Sequence, residues 1–250
     1  MTYERFRIDD VGDGVRLVTM CRPDKLNAMD QQWFAELTAI TAELGESADV
    51  RAVVLTGEGR AFSAGGDIDM FADLAGDVSR VRPHLRRVYE AFHSVETCAV
   101  PVVGAINGIA FGGGTELALA CDIVVAGRSA SFSFKEVTVG LMPGYGVIRA
   151  PDVIGRHWTR YLSLTGRAVG PEIMERAGLV IETVDDDELV ERALATAREI
   201  AAHSPLGVRV GKAFLNRDTG SGYAESVEAT ALLFGTDEHR DAVHAFRTRR

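Results

Sequence analysis

The chain has 250 residues, of which 46% are hydrophobic and 25% are charged. This composition is typical of a globular protein with a sizeable core, and it excludes a disordered, collagen-like or coiled-coil chain. The net charge of −9 argues against binding to nucleic acid or to an anionic membrane, because both partners attract a basic surface.

The three cysteines, Cys21, Cys98 and Cys121, are odd in number and show no C-x-x-C spacing, which indicates a reducing compartment. The N-terminus lacks the apolar region of a signal peptide, and no apolar stretch is long enough to cross a bilayer. Six scattered histidines without an H-x-x-x-H pair predict no metal site. We therefore expect a cytoplasmic protein that needs no metal and binds no membrane.

Two short strands are predicted near the N-terminus, Phe6–Asp10 and Val15–Met20. The Asp-Gly step of Gly12-Asp13-Gly14 between them favours a tight hairpin turn. An amphipathic helix is expected next, from an N-cap at Asp30 to Gly45, because its apolar residues recur at helical spacing.

The middle of the chain alternates between strands and helices. Wholly apolar runs predict strands buried on both faces, at residues 53–56, Val102–Ile106 and residues 123–126. Helices are expected at residues 84–95, after a polar stretch at 73–82, and at residues 116–121. This alternation is typical of an α/β architecture.

Beyond Pro151 helices dominate, apart from a short strand at residues 180–184. The helices are predicted at residues 187–203, 205–216, 223–234 and 238–248. Because no segment has the composition of a linker, the expected organisation is an α/β core at residues 1–185 followed by a helical region at residues 186–250.

Two glycine-rich turns each follow an apolar strand, at residues 61–67 and 104–116. A strand end, a glycine turn and a helix N-terminus together present free backbone N–H groups, which bind a phosphate or a developing oxyanion. Plain tight turns are the commoner interpretation of such a segment taken alone. Glu116 lies three residues after Gly113, so both can face one small volume, although a first-turn glutamate also stabilises the helix dipole.

Five sequence blocks follow one another along almost the whole chain. They are Arg22-Pro-x-x-x-Asn27-Ala28, residues 61–67, residues 101–117, Ala120-Cys121-Asp122 and Gly140-Leu-Met-Pro143-Gly144. In this order and spacing they resemble the crotonase superfamily, specifically the enoyl-CoA hydratases. The resemblance implies a crotonase spiral, in which ββα units stack into two roughly perpendicular sheets. It also implies C-terminal helices that support a homotrimer, which in many relatives pairs into a hexamer.

The resemblance implies which backbone groups bind the substrate. The N–H groups of Gly66 and Gly113 would form the oxyanion hole for the thioester carbonyl, where each donor is typically worth about 10²- to 10³-fold in rate. The carbonyl of Ala64 would meet the adenine of coenzyme A, and Gly144 would help to hold the catalytic water.

The two acidic positions of a hydratase are occupied here by Glu116 and Glu136. Hydration of an enoyl thioester needs water activated at the β carbon and a proton delivered to the α carbon. Two close carboxylates do not both ionise easily, so one keeps a proton to donate. We assign Glu116 as the general base and Glu136 as the protonated partner, with exchangeable roles because the pair titrates as a unit. The expected reaction is reversible hydration of the 2,3 double bond, and coenzyme A enters only as part of the substrate.

A wider set of residues near the matched blocks is predicted to contact the substrate. The set comprises Ala64, Asp67, Arg22, Lys25, Arg60, Ile68, Met142, Tyr145, Phe246 and Arg249. Phe246 and Arg249 match positions in a C-terminal helix that covers the adenine of a neighbouring subunit. A solvated surface charge is an equally good interpretation of each cation. Met70, Phe71 and Leu74 are further candidates for the acyl pocket, with ordinary packing as the alternative.

Three departures from the family pattern lie near the acyl end of the implied site. Lys135 stands where proline is common, Tyr145 replaces a smaller residue, and Val147-Ile148-Arg149 replaces a Gly-Gly-Thr run. They bear on substrate choice more than on reaction type. We expect the Lys135 ammonium to be solvated rather than turned toward Glu136.

The same sequence features are compatible with other functions. A Δ3,Δ2-enoyl-CoA isomerase or a pathway-specific dehydratase would share most of the site, whereas fatty acid β-oxidation is the setting that the hydratase resemblance implies. Some relatives bind RNA through a lysine-rich helix, but the matching segment at residues 30–45 contains no lysine or arginine. A non-catalytic scaffold is disfavoured by the presence of both glutamates.

Overall fold

Nine strands form two sheets in the computed structural model, which describes residues 3–74 and 78–216. In chain order the strands are β1 (Phe6–Asp10), β2 (Val15–Met20), β3 (Ala52–Gly57), β4 (Ala61–Ser63), β5 (Val102–Ile106), β6 (Ile109–Phe111), β7 (Ile123–Gly127), β8 (Ser131–Ser133) and β9 (Glu182–Val184).

Nine α-helices lie in the same described ranges. They are α1 (Gln31–Glu46), α2 (Ile68–Leu74), α3 (Val78–Glu96), α4 (Gly113–Ala120), α5 (Gly146–Val153), α6 (Gly155–Thr165), α7 (Pro171–Ala177), α8 (Leu189–Ala201) and α9 (Pro205–Leu215). Short 3₁₀ helices occupy Pro23–Lys25 and Glu136–Val139.

The larger sheet has six strands in the order β1-β2-β3-β5-β7-β9. Only the hairpin pair β1 and β2 is antiparallel, and the remaining pairs are parallel. The smaller sheet contains β4, β6 and β8, all parallel. Every residue of β3 and β5 is buried, as expected for strands that are covered on both faces.

A repeated unit builds this arrangement. A strand of the larger sheet (β3, β5 or β7) is followed within a few residues by a short strand of the smaller sheet (β4, β6 or β8) and then by helix. Each repeat thus places a glycine-rich segment at the junction between the sheets. Residues 61–67 and 104–116 meet there, and the cavity described below opens beside them.

The apolar core has two parts. The larger part lies between the sheets and helices α1 and α3, and its fully buried aromatic residues include Trp33, Phe62 and Phe92. The smaller part lies where Leu189 and Ala193 of α8 pack with residues of β3, β5 and β7. Helix α8 therefore covers one face of the larger sheet, while the division into residues 1–185 and 186–250 stays a prediction.

The strongest sequence signals are confirmed. Strands β1, β2 and β5 have the predicted bounds. The turn between β1 and β2 places Gly12, Asp13 and Gly14 at φ angles of 84°, 56° and 75°, which explains its glycines. The Asp30 side chain accepts a hydrogen bond from the Trp33 N–H and caps α1 as predicted.

Several elements differ from the sequence prediction. Helix α3 begins at Val78 rather than at residue 84, because its apolar stripe already includes Val81, and it contains Pro83. Residues 61–67 and 104–116, interpreted as turns, also hold the three-residue strands β4 and β6, which are too short for a periodic pattern. Helices α5, α6 and α7 had no predicted bounds, and the predicted helices at 223–234 and 238–248 lie outside the described residues.

In the described ranges no helix combines the length and hydropathy of a membrane span. The same residues hold no cluster of three or more histidine, cysteine or acidic side chains that would suit a metal ion.

Candidate active site

A cavity of about 510 Å³ lies beside the two glycine-rich segments. Backbone from both segments forms one side, helix α3 forms another, and residues 135–145 close a third. Its lining comprises Met29, Phe34, Ala64, Gly65, Gly66, Ile68, Met70, Phe71, His84, Leu85, Val88, Tyr89, Phe92, Gly112, Gly113, Glu116, Lys135, Glu136, Val139, Leu141, Met142, Gly144 and Tyr145. A mostly apolar pocket with two carboxyl groups is suited to a reaction on an apolar ligand.

Two glycines let the walls of this cavity approach each other. Gly65 has φ +92°, and a Cβ there would lie 2.6 Å from the Phe111 carbonyl oxygen. Gly112 has φ +51°, and a Cβ there would lie 2.8 Å from Glu136 Oε1. A side chain at either position would displace the backbone or the carboxyl group that borders the cavity.

Two amide groups on the cavity wall donate to no other group in the described part of the chain. Within the ranges that the structure describes, no hydrogen bond is donated by the N–H of Gly66 or of Gly113. Gly113 is the first residue of α4, where helix geometry offers its N–H no acceptor. Both residues thus carry free donors beside the same cavity, which is the requirement for stabilising an oxyanion.

Glu116 lies one turn into α4, with only 4% of its surface exposed. Its Oε1 accepts a hydrogen bond of 2.7 Å from the Gly146 N–H. Its pKa is raised to about 8, chiefly because burial disfavours the charged form and also because Glu136 repels it. The backbone N–H groups of Gly146 and Tyr145 oppose this shift.

Glu136 begins the 3₁₀ helix Glu136–Val139 on the other side of the cavity. Burial raises the pKa of its carboxyl to about 7. Its Oε2 is buried and has no hydrogen-bond partner among the described groups. Both carboxyls therefore retain protons at much higher pH than ordinary glutamates, and the pair is able to exchange protons with a ligand near neutral pH.

Tyr145 links the cavity wall formed by residues 135–145 to helix α3. Its hydroxyl donates a 2.6 Å hydrogen bond to Glu96, whose other carboxyl oxygen lies 3.0 Å from Arg149 Nε. Burial and the Glu96 carboxylate raise the pKa of Tyr145, so its hydroxyl stays protonated. Two of the departures from the family pattern, Tyr145 and Arg149, are thus partners in one contact with Glu96.

The Lys135 ammonium was expected to be solvated, but in the structure it binds a backbone carbonyl. Its Nζ donates a 2.8 Å hydrogen bond to the Gly166 carbonyl and lies 5.3 Å from the centre of the Phe111 ring. The side chain also lines the cavity. With this carbonyl as acceptor, the ammonium has a partner other than solvent or Glu136.

The predicted substrate-binding residues are distributed unevenly. Ala64, Ile68, Met142 and Tyr145 line the cavity, and Ile68 and Met142 are 63% and 68% exposed, at its mouth. Gly144 also lines the cavity, and a Cβ there would meet nothing within 4 Å.

Arg22 and Asp67 bind each other instead, through a 3.0 Å ion pair. Burial alone would raise the pKa of Asp67, but hydrogen bonds from Arg22 and from the Asp69 N–H lower it. Arg22 also donates to the Ala28 carbonyl, so the pair fastens residues 61–67 to the loop before α1. Neither side chain lines the cavity.

The remaining candidates lie farther out. Lys25 is exposed and forms a 3.1 Å ion pair with Asp69, and Arg60 is exposed. Met70 and Phe71 line the cavity, whereas Leu74 does not. Phe246 and Arg249 lie outside the described residues.

Sequence reasoning missed two parts of this site. Gly146, which donates to Glu116, was visible only as a second glycine after Gly144. The α3 wall of His84, Leu85, Val88, Tyr89 and Phe92 was predicted as a helix without a function. Its three- and four-residue spacing was present in the sequence, but nothing in that pattern shows which cavity a helix borders.

Comparison with known proteins agrees with this geometry. A family model described as enoyl-CoA hydratase/isomerase matches residues 10–250. The chain is 32% identical to the 2,3-dehydroadipyl-CoA hydratase of Escherichia coli, over 94% of this chain and 93% of that protein. It is 36% identical to the mitochondrial Delta(3,5)-Delta(2,4)-dienoyl-CoA isomerase of Homo sapiens, over 92% of this chain and 74% of that protein.

Among solved structures, that of DspI from Pseudomonas aeruginosa superimposes with a TM-score of 0.94 at 34% identity, covering 100% of this chain and 97% of that one. Together with the family match, this similarity confirms both the predicted crotonase fold and the resemblance read from the five sequence blocks. The chain therefore belongs to the enoyl-CoA hydratase/isomerase family.

Proposed function

We propose that the protein is an enoyl-CoA hydratase, which adds water reversibly across the 2,3 double bond of an enoyl-CoA thioester. One observation carries the proposal: the carboxyls of Glu116 and Glu136 border the same cavity as the N–H groups of Gly66 and Gly113, which have no acceptor among the described residues. Hydration needs a proton donor, a proton acceptor and a site for negative charge, and this cavity has candidates for all three.

The thioester oxygen would accept hydrogen bonds from Gly66 and Gly113. As water adds to the β carbon, enolate charge grows on that oxygen, and donors already in place stabilise it without reorganising. Gly65 and Gly112 would support this indirectly, because their lack of side chains keeps the two glycine segments close.

The proton would move through the glutamate pair. The Gly146 N–H favours the charged form of Glu116, which suits the base that activates water. The Glu136 Oε2 has no described partner, which suits a carboxyl that carries the shared proton toward the α carbon. Because both groups titrate together, the raised pKa values belong to the pair, and dehydration would run with the roles reversed.

The coenzyme A portion would lie at the cavity mouth. The Ala64 carbonyl would meet the adenine, and Gly144 would help to hold the water; both residues line the cavity. The exposed cations Lys25 and Arg60 are available for phosphates, whereas Arg22 and Asp67 would act by holding residues 61–67 in place. Phe246 and Arg249 of a neighbouring subunit would complete the adenine site in a homotrimer or hexamer, in a cytoplasmic setting such as fatty acid β-oxidation.

Isomerisation of an enoyl-CoA is the second candidate, favoured by the identity to a dienoyl-CoA isomerase. A carboxyl pair that moves a proton between carbon atoms would shift a double bond without adding water. The two reactions differ in their products, since only hydration forms a 3-hydroxyacyl-CoA.

The deciding experiment mixes crotonyl-CoA with the wild-type protein, Glu116→Gln and Glu136→Gln. We expect the wild type to remove the enoyl-thioester absorbance and to form 3-hydroxybutyryl-CoA, and both variants to be slower by orders of magnitude. Binding without hydration of crotonyl-CoA or longer enoyl-CoAs, together with double-bond migration in a 3-enoyl-CoA, would replace the hydratase assignment by the isomerase one.

A further inference from the structure

The part of the cavity that borders helix α3 is mostly apolar, and its two polar side chains are the half-exposed Tyr89 and the buried His84. Phe34, Leu85, Val88 and Phe92 line it, and His84 lies among them with 4% of its surface exposed. The His84 ring packs against Phe34 with their centroids 5.8 Å apart. A buried polar group in such surroundings is costly unless it has a hydrogen-bond partner.

Only one nitrogen of this imidazole has a partner in the described structure. Nδ1 lies 2.8 Å from Gln31 Nε2. No hydrogen bond joins Nε2 to any described group. Since His84 lines the cavity, Nε2 is the nitrogen available to a ligand there.

The contacts of Gln31 determine where the His84 proton resides. Arg87 Nη1 lies 3.3 Å from Gln31 Oε1, and a guanidinium group only donates hydrogen bonds. The oxygen of the Gln31 amide therefore faces Arg87, and its NH₂ group donates to His84 Nδ1. A neutral imidazole with an acceptor at Nδ1 carries its proton at Nε2. Burial and the Arg87 charge lower the pKa of His84, which agrees with the neutral form.

We propose that His84 selects the acyl group: its Nε2–H donates a hydrogen bond to a neutral oxygen, an oxo or hydroxyl group, carried by the acyl chain beyond the reacting double bond. The inference rests on the proposed hydratase function for the orientation of the thioester, and it deepens that function by naming a substrate class. His84 lies outside the acid–base pair, so its role is recognition rather than proton transfer.

A neutral oxygen suits this position better than a carboxylate does. The surrounding side chains are aromatic or aliphatic, and a neutral His84 offers a carboxylate one hydrogen bond and no charge. The neighbouring cation, Arg87, already donates to Gln31 and is exposed. Burying a carboxylate there would leave its charge poorly compensated.

Binding of saturated thioesters tests this without any turnover. The probes are octanoyl-CoA, its 6-oxo and 7-oxo derivatives, and the eight-carbon thioester that ends in a carboxylate. Dissociation constants would be measured by titration calorimetry on the full-length protein. We expect at least one oxo derivative to bind about fivefold more tightly than octanoyl-CoA, as one neutral hydrogen bond provides.

Variants then locate the source of this preference. His84→Phe should bring the ratio of the octanoyl-CoA and oxo-octanoyl-CoA dissociation constants to about one. Gln31→Met should lower this ratio less, because it removes the hydrogen bond that holds His84 Nδ1. His157→Phe, at an exposed histidine of α6, is the matched control and should keep the wild-type ratio. A ratio within one protein is insensitive to the fraction that has folded.

Each outcome supports or overturns the inference. Equal binding of all chains by the wild type, or an oxo preference that survives in His84→Phe, overturns it, as does tightest binding of the carboxylate probe. The proposed function is judged separately: hydration of crotonyl-CoA without an oxo preference retains the hydratase and removes the role of His84. An oxo preference without hydration of any enoyl-CoA retains the recognition site and removes the hydratase.

Discussion

Two acidic sites lie on helix α4 and just beyond its C-terminal end. Glu116 is buried within the helix and shares its cavity with Glu136, whereas Asp122 lies two residues after the helix, with 19% of its side chain exposed. Asp122 Oδ2 lies 2.7 Å from Lys212 Nζ and accepts a hydrogen bond of the same length from the Val102 N–H. Burial raises the pKa of all three carboxyls, but a cation opposes the rise only at Asp122.

This difference separates a carboxyl that stabilises the fold from one that is free to react. Lys212 also donates to the Val95 and Val100 carbonyls, so the ion pair fastens α9 to the end of α3 and the start of β5. Among the described residues, the side-chain oxygens of the glutamate pair accept one hydrogen bond, from the Gly146 N–H to Glu116. A cation beside Asp122 thus makes that carboxyl an anchor for the fold, whereas no described cation opposes the raised pKa of the more deeply buried Glu116 or of Glu136.

The largest expected effect is on catalysis. Glu116→Gln and Glu136→Gln should each lower kcat for enoyl-CoA hydration by about 10²- to 10⁴-fold, because positioned acid–base groups contribute that much. Their unfolding free energies should fall little or even rise, since a neutral amide replaces a group that burial keeps from ionising. Steady-state kinetics and urea unfolding measure the two effects.

The matched control is Glu90→Gln, on the exposed face of α3. It should change neither quantity measurably. If Glu116→Gln and Glu136→Gln retain wild-type kcat, the glutamate pair is not the proton-transfer machinery.

The second effect concerns stability at the contrasting site. Asp122→Asn should lower the free energy of unfolding by about 3 kcal/mol, because it leaves the Lys212 ammonium buried without its carboxylate. Lys212→Met should lower the free energy of unfolding by a similar amount, because it leaves the Asp122 carboxylate without its cation. The double variant should lose clearly less than the sum of the single losses, as a double-mutant cycle in urea would show. Additive losses would mean that the two groups do not stabilise each other.

The glutamate pair should also make the stability of the fold depend on pH. An unfolded glutamate ionises near pH 4.5, whereas Glu116 and Glu136 retain protons until about pH 8 and 7 in the folded state. The folded state therefore binds more protons between these values, and the stability contributed by the pair is lost as the pH rises through that window. The slope of unfolding free energy against pH should be shallower in Glu116→Gln than in the wild type.

Hydration should share this pH limit, because the pair loses its shared proton at alkaline pH. We expect kcat/KM to decline above about pH 8. Constant activity up to pH 10, with chemistry shown to be rate-limiting, would contradict a role for a protonated carboxyl.

The smallest expected effect is at the hydrogen bond between Tyr145 and Glu96, which joins the cavity wall to the end of α3. Tyr145→Phe removes the hydroxyl that binds Glu96, but Arg149 still faces that carboxylate. A loss of about 1 kcal/mol in unfolding free energy is expected for one hydrogen bond. A few-fold decrease in kcat would show that the contact also positions the Gly146 N–H, whereas unchanged kcat would limit it to stability.

The sequence predicted what is local and periodic. Strands β1, β2 and β5 and the Asp30 cap follow from apolar runs and turn chemistry within a few residues. The short strands β4 and β6 were not predicted, because three residues are too few to show a periodic pattern. They are defined only by their pairing within the smaller sheet.

The glycine segments and the two glutamates of the candidate site could be predicted from the sequence, whereas the α3 wall could not. Glu116 and Gly113 are neighbours on one helix, so their proximity follows from helix geometry. Gln31 of α1 and His84 of α3 are 53 residues apart in the chain, and only packing of the two helices brings them together. The prediction of a solvated Lys135 was wrong because its acceptor, the Gly166 carbonyl, lies 31 residues farther along the chain and is brought near only by folding.

The parallel order of the larger sheet has a consequence for how the molecule acquires its site. Val18 pairs with Leu55, Leu55 with Gly104, and Gly104 with Val124, so this ladder joins segments far apart in the chain. Closing such long loops is entropically slow, and folding rates fall as contacts become less local. The glycine segments and Glu116 follow directly from these strands. Recovery of catalytic activity after dilution from denaturant should therefore be a late event, after helix formation and chain collapse.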